Sequence, residues 1–327
     1  MIALSMGDPA GVGPELAVAA WTLAVAERLP PFVVIGSHAV MAAAARRSDV
    51  PVVAVSSPEH ARALFASALP VIDVGHGDYR PGDPDDAGAA LALASLTLAT
   101  ELTRHGATSA LVTGPIAKSR LARVGFDYPG QTEFVAAACG VAAHDAVMML
   151  AGPSLRVVPI TVHVALAQVP ALLTTSLITN RADIAATALD RDFGIARPRL
   201  AVAGLNPHAG EDGRMGHEDA EVIAPAVARL RDAGIAATGP LPADTMFHAA
   251  ARATYDVAIC MYHDQALIPI KALDFDEGVN VTLGLPIVRT SPDHGTAFAI
   301  AGTGTARPGA TVAAIRMAGQ CAAQRDA

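Results

Sequence analysis

The sequence predicts an α/β fold with a largely parallel core, organised as about two domains. Three observations carry this prediction. The 327 residues are enough for a large buried core. Short apolar runs alternate with helical stretches along the chain. Several of those runs stop at a polar or glycine-proline loop, as strands of a parallel sheet do on the side where ligands bind.

Residues 1–6 and 32–35 read as strands flanking a helix that begins near Gly13-Pro14-Glu15, where proline suits the first turn. Residues 87–103 form an alanine- and leucine-rich helix, followed by a strand at 109–113 that ends in Gly114-Pro115. Strands at 146–150 and 156–162, a helix at 177–190, a strand at 199–205 and a helix at 218–233 continue the alternation. Residues 257–262 are a short buried strand, and 310–324 are the last helix. No repeat, low-complexity linker or composition shift marks a boundary, which leaves room for a discontinuous lobe.

Composition narrows the function. Hydrophobic residues make up 52 % of the chain but aromatic residues only 4 %, so the helices are expected to pack closely through alanine. The apolar runs break well short of the roughly 18 residues of a membrane span. The first residues lack the basic region of a signal peptide, and a cytoplasmic location is expected. Cys139, Cys260 and Cys321 are far apart, with neither a disulfide framework nor a thiolate zinc spacing. A net charge of -8 argues against nucleic acid as a partner.

His163, His208 and His263 each lie at or just past the end of a predicted strand, where α/β folds line their ligand crevice. Three imidazoles gathered there would hold a divalent cation with coordination positions open to substrate oxygens. The bland alternative is a hydrogen-bonded histidine near a strand end, since the residues are some 45 and 55 positions apart. Asp264 and Asp244 offer carboxylates for proton transfer or for orienting a ligand histidine; otherwise they are a solvated turn and a helix cap. Lys271 in an apolar context, with Asn280 and Arg289 in a β-like segment after it, would suit a phosphate or carboxylate. Isolated, these cations would be surface residues or ion pairs.

Residues 7–13 and 302–309 are glycine-rich, yet neither fits the Rossmann or P-loop pattern. A dinucleotide must be held another way, and Asp293-His294-Gly295-Thr296 with Gly302-Thr303-Gly304 is the candidate loop.

Six segments together resemble the 4-hydroxythreonine-4-phosphate dehydrogenase family of pyridoxal phosphate biosynthesis. They are Met6-Gly7-Asp8-Pro9-Ala10-Gly11-Val12-Gly13-Pro14-Glu15, Thr113-Gly114-Pro115-Ile116-Ala117-Lys118, Gly130-Gln131-Thr132-Glu133-Phe134, Asn206-Pro207-His208-Ala209-Gly210-Glu211, Tyr262-His263-Asp264-Gln265 and Gly278-Val279-Asn280-Val281-Thr282-Leu283-Gly284. The resemblance implies two α/β/α lobes around a central cleft, as in the related isocitrate and isopropylmalate dehydrogenases. The first lobe is then 1–123 with 302–327, and the second is 124–301, with the metal site and dimer interface.

It further implies that His163, His208 and His263 bind zinc, magnesium or cobalt, with His263 supplied by the neighbouring subunit of a homodimer. Gln131, Thr132, Lys271, Asn280 and Arg289 are implied to contact the phosphorylated substrate, and Asp293, His294, Gly295 and Thr296 to contact NAD or NADP. Lys118, Asp244 and Asp264 are the candidates for proton transfer. Two positions depart from the family pattern: Gln131 replaces a usual histidine, and Ala299 a common aspartate. The implied reaction oxidises the substrate hydroxyl and then loses carbon dioxide from the resulting 3-oxo acid. Other readings are a branch acting on erythronate or threonate phosphate or on a cis-dihydrodiol carboxylate, and a non-catalytic metal- or nucleotide-binding protein.

Overall fold

Strands and helices alternate through the chain, whose computed structural model describes residues 1–325. Among these residues the strands are β1 (Ile2–Ser5), β2 (Phe32–Gly36), β3 (Val52–Val55), β4 (Leu69–Asp73), β5 (Ala110–Thr113), β6 (Val147–Ala151), β7 (Arg156–Pro159), β8 (Arg199–Ala203), β9 (Ala236–Leu241), β10 (Val257–Cys260), β11 (Val279–Leu283) and β12 (Arg289–Pro292). Two compact units result: Met1–Ala143 with the chain from Leu285 onward, and His144–Gly284.

These bounds differ from the expected lobes. Residues 124–143 and 285–301 belong to the first unit, because the helix Gln131–Ala138 packs against the helix Asp86–Arg104 and β12 pairs with β5. Residues 326–327 of the expected first lobe lie outside the described residues.

The first unit is built on a parallel sheet in the order β3-β4-β2-β1-β5-β12. Every residue of β1, β2 and β5 is buried. Such continuous apolar runs belong to parallel strands covered on both faces. From β1 the chain steps outward to β2 through the helix Gly13–Leu23, and it later returns from β4 across the sheet to β5 through the helix Asp86–Arg104. Right-handed crossovers in opposite directions put helices on both faces and open a crevice where the ends of β1 and β5 diverge. Asp85 caps the second of these helices, accepting the Gly88 N–H at 2.7 Å.

The second unit has the order β11-β6-β7-β10-β8-β9. β6 is antiparallel to both neighbours, whereas β7, β10, β8 and β9 are parallel. The C-terminal ends of β7, β10 and β8 therefore lie side by side. The helix His263–Asp274 packs against β6, β7 and β10, and its Ala266, Leu267 and Ile270 join a core with Leu150, Val157 and Ala258. The helix expected at 218–233 forms over nearly the whole of that range, as a π-helical turn, Asp219–Ile223, that runs directly into the α-helix Ala224–Asp232. Pro225, which has no N–H to donate, stands at this junction. Among the described residues, no helix is long and apolar enough to cross a membrane.

Candidate active site

The second unit brings the three histidine-bearing strand ends to one edge. His163 follows β7, His263 opens the helix after β10, and His208 sits in the turn Pro207–Gly210 after β8. The rings of His163 and His263 are 5.6 Å apart, centre to centre, within one chain. Among the described residues, no group of three or more His, Cys, Asp or Glu side chains is placed to hold a metal ion. One chain therefore pairs two of the three expected ligands.

His163 and His208 have φ angles of +53° and +52°, in the left-handed region, and Ala209, Glu211 and Asp212 share it. Side chains with a Cβ occupy that region at a cost, and such strain concentrates at functional sites. The His263 Nδ1 lies 2.7 Å from an Asp264 carboxylate oxygen, which leaves Nε2 for another partner. That pairing orients the ring and engages the carboxylate, so Asp264 has the geometry of a histidine-orienting group. Asp244 is exposed in the turn Ala243–Thr245, which packs against the turn carrying His208. Two of the expected substrate residues also lie in this unit. Lys271 is exposed near the end of the helix His263–Asp274, and Asn280 lies in β11 opposite Leu150.

The other expected anion ligands meet in the first unit, at the end of β5. Arg289 is 3 % exposed and donates to the hydroxyls of Thr113 at 2.7 Å and Thr132 at 3.3 Å. Burial pushes its guanidinium down to about 10, opposed by the nearby Glu133 carboxylate. A buried cation of this kind gains from an arriving anion. A Cβ on Gly130 would stand 3.4 Å from the Lys118 Nζ, which places that ammonium at the entrance to the helix Gln131–Ala138.

Gln131 opens the helix Gln131–Ala138. Its Nε2 donates to the Gly114 carbonyl at 3.1 Å, and its Oε1 is buried without a hydrogen-bond partner. The group it presents is thus an acceptor, which suits a substrate hydroxyl or ammonium better than a phosphate oxygen.

Asp8, unremarked in the sequence apart from its motif, is 1 % exposed just beyond β1. One carboxylate oxygen accepts the Ala10 N–H at 3.0 Å and the other is buried without a partner, and burial pushes its carboxyl up. At Gly7, with φ +74°, a Cβ would come within 2.6 Å of the Pro115 carbonyl oxygen, so only glycine lets the loops after β1 and β5 touch.

The expected dinucleotide loop lies against this region. Thr296 accepts the Val12 N–H at 2.9 Å, and a Cβ on Gly11 would meet the Thr296 carbonyl at 2.8 Å. His294 Nδ1 lies 3.0 Å from the Gly295 carbonyl, and its Nε2 is buried. Farther along, the Gly302 N–H donates to Glu15 at 3.0 Å and the Gly302 carbonyl accepts from Arg47. A cavity of about 220 Å³ adjoins these groups, lined by Glu15, Arg47, Tyr79, Pro81, Gly302 and Gly304 among others. Burial raises both the Glu15 carboxyl and the Tyr79 phenol. Glu15 was marked in the sequence only as part of its motif, and Arg47 and Tyr79 gave no signal there, because their meeting depends on long-range packing.

Comparison with known proteins places this arrangement. The model of the pyridoxal phosphate biosynthetic protein PdxA matches residues 28–318. A 4-hydroxythreonine-4-phosphate dehydrogenase of Erythrobacter litoralis is 60 % identical, over 99 % of this chain and 97 % of that protein. The crystal structure of 4-hydroxythreonine-4-phosphate dehydrogenase from Klebsiella pneumoniae superposes with a TM-score of 0.87 at 38 % identity, over 98 % of each chain. A terephthalate 1,2-cis-dihydrodiol dehydrogenase from Burkholderia xenovorans is more distant, with a TM-score of 0.67 at 32 % identity over 98 % of this chain and 97 % of the other. The chain belongs to the PdxA family of pyridoxal phosphate biosynthetic proteins.

Proposed function

We propose that the chain is a 4-hydroxythreonine-4-phosphate dehydrogenase. It would oxidise its substrate with NAD or NADP to a 3-oxo acid that decarboxylates to 3-amino-2-oxopropyl phosphate, in pyridoxal 5'-phosphate biosynthesis. The single observation that carries the substrate class is Arg289, a buried guanidinium at the end of β5 that bonds Thr113 and Thr132. A phosphate dianion offsets the desolvation of such a cation, and a neutral group does not. Lys271 and Asn280 are proposed as further substrate contacts.

His163 and His208, with His263 supplied by the neighbouring subunit, are the proposed holders of a zinc, magnesium or cobalt ion, supported by the adjoining strand ends that carry them and by the carboxylate that orients His263. When bound, such an ion lowers the pKa of a coordinated hydroxyl and stabilises negative charge on oxygen. Asp264 keeps one nitrogen of His263 facing outward, and Gln131 accepts a hydrogen bond from the substrate. Lys118 and Asp244 are the proposed candidates to take the hydroxyl proton, alongside Asp264 in its second role.

The dinucleotide is proposed to bind along Asp293, His294, Gly295 and Thr296, with the neighbouring cavity at Glu15 and Tyr79 receiving part of it. A homodimer sharing its active sites is supported by exposed apolar side chains on the segments that follow His163 and His263: Leu166 is 66 % exposed, Ile268 67 % and Phe275 66 %. A cytoplasmic location fits this metabolic role.

A substrate panel tests the reading. Activity on 4-hydroxythreonine 4-phosphate should far exceed that on the unphosphorylated amino acid, and Arg289→Met should remove most of the difference, on the order of a hundredfold in kcat/KM. Preference for a cis-dihydrodiol carboxylate, or for erythronate or threonate phosphate, would transfer the chain to a divergent branch of the family.

A further inference from the structure

We propose that Thr161 and Gln265 are positioning residues that clamp together the three strand ends bearing His163, His263 and His208. The inference rests on the reading of these histidines as metal ligands. Thr161 stands two residues before His163 and is 5 % exposed. It donates twice to a single acceptor, the Met261 carbonyl two residues before His263: its N–H at 3.2 Å and its hydroxyl at 2.8 Å. The end of β7 is thereby tied to the end of β10 beyond their last ladder pair, Pro159 with Cys260.

Gln265, 8 % exposed, extends the tie to the third strand. Its Oε1 accepts the Met261 N–H at 2.6 Å and its Nε2 donates to the Gly204 carbonyl at 2.7 Å, four residues before His208. Asp219, 2 % exposed, then takes over on the far side. Its carboxylate accepts the N–H of Leu205 at 2.8 Å, the N–H of Asn206 at 3.1 Å and the Asn206 side-chain amide at 2.9 Å. A Cβ on Gly204 would stand 2.6 Å from the same carboxylate, so a larger residue would force this junction apart.

Met261 is the hub, with its carbonyl serving Thr161 and its N–H serving Gln265. The buried bonds link all three loops, and no imidazole takes part in them. Strand ends that leave a ladder must satisfy their peptide groups somehow, and solvent or a capping turn would do. Here the Met261 and Gly204 carbonyls are satisfied from a neighbouring histidine-bearing segment, by Thr161 and Gln265, which makes the position of one histidine depend on the others. Outer groups that fix metal-binding side chains in this way commonly set affinity by about 10- to 100-fold.

The test uses full-length, metal-stripped protein and Co²⁺ alone as the probe, in four versions: wild type, Thr161→Val, Thr161→Ser and Gln265→Met. Affinity is read by competition with a chromophoric chelator, and coordination geometry by the visible absorption of bound Co²⁺. Thr161→Val and Gln265→Met should weaken Co²⁺ binding by about 10- to 100-fold and alter the spectrum, and Thr161→Ser, which keeps the hydroxyl, should restore both. The proposal is overturned if folded Thr161→Val binds Co²⁺ as wild type does with the same spectrum, or if Thr161→Ser is as impaired as Thr161→Val. If wild type itself binds no Co²⁺, the metal reading fails. The clamp is then judged on the imidazole NMR signals of His163 and His263 in metal-free protein. A shift in Thr161→Val that Thr161→Ser reverses upholds it, and unchanged signals reject it.

Discussion

The parallel strands of the second unit are held differently at their two ends. At the N-terminal end Arg199, the first residue of β8, and Asp256, just before β10, form a two-pronged ion pair at 3.0 Å, with the arginine side chain 48 % exposed. At the C-terminal end the same strands are joined by buried bonds from Thr161 and Gln265 to backbone groups, and part-buried bonds to Asp219 hold the segment after β8. A surface ion pair contributes modestly and tolerates side-chain motion. Buried, fully satisfied polar bonds fix geometry, and losing one partner leaves the other stranded at greater cost. Rigid placement is thus concentrated at the end where the histidines stand.

The largest break in this contrast should come from the histidines themselves. His163→Ala or His208→Ala should lower kcat/KM by a hundredfold or more, corresponding to roughly 3 kcal/mol or more of transition-state stabilisation, with little change in melting temperature. Asp219→Asn follows. An amide offers one acceptor oxygen where the carboxylate now receives three N–H groups, so the variant should lose about 1–3 kcal/mol in chemical denaturation and lose activity as well. Asp264→Asn should leave stability nearly unchanged while weakening metal binding by about tenfold or more in calorimetry, because only the orientation of His263 is disturbed.

Asp256→Asn, at the opposite end, should have the smallest effect: below about 1 kcal/mol, with kcat/KM unaltered. Its pH dependence sharpens the contrast. The hydrogen bonds and charge of Arg199 hold the Asp256 carboxyl below its ordinary value of 3.8. The stabilisation is therefore complete above the ordinary carboxylate value and is lost as pH falls through the lower folded one. Melting curves of wild type and variant should converge in that acid range.

This contrast also explains what could be read in the sequence. The alternation of strands and helices was legible, as was the placing of each histidine at a strand end, because apolar runs and the residues that stop them are local signals. The side-by-side order β7, β10, β8 was not, since β10 enters between strands that precede it in the chain. Asp264 and His263 are adjacent in sequence, so their pairing could be anticipated. Asp219 and Leu205 are joined only by folding, and Gln265 carried no label beyond its motif. β3 went unread because it is a short, half-exposed edge strand with a weak apolar signature. Arg289 was legible as a cation, but its burial follows from the pairing of β12 with β5. Which atom Gln131 presents depends on side-chain orientation, which no sequence pattern encodes.

The most direct test of the account is NADH absorbance in a mixture of purified protein, NAD, 4-hydroxythreonine 4-phosphate and added zinc or magnesium, beside a chelator-treated control. NADH should form only when both the phosphorylated substrate and the metal are present. Absence of NADH from metal-replete, dimeric protein would contradict it.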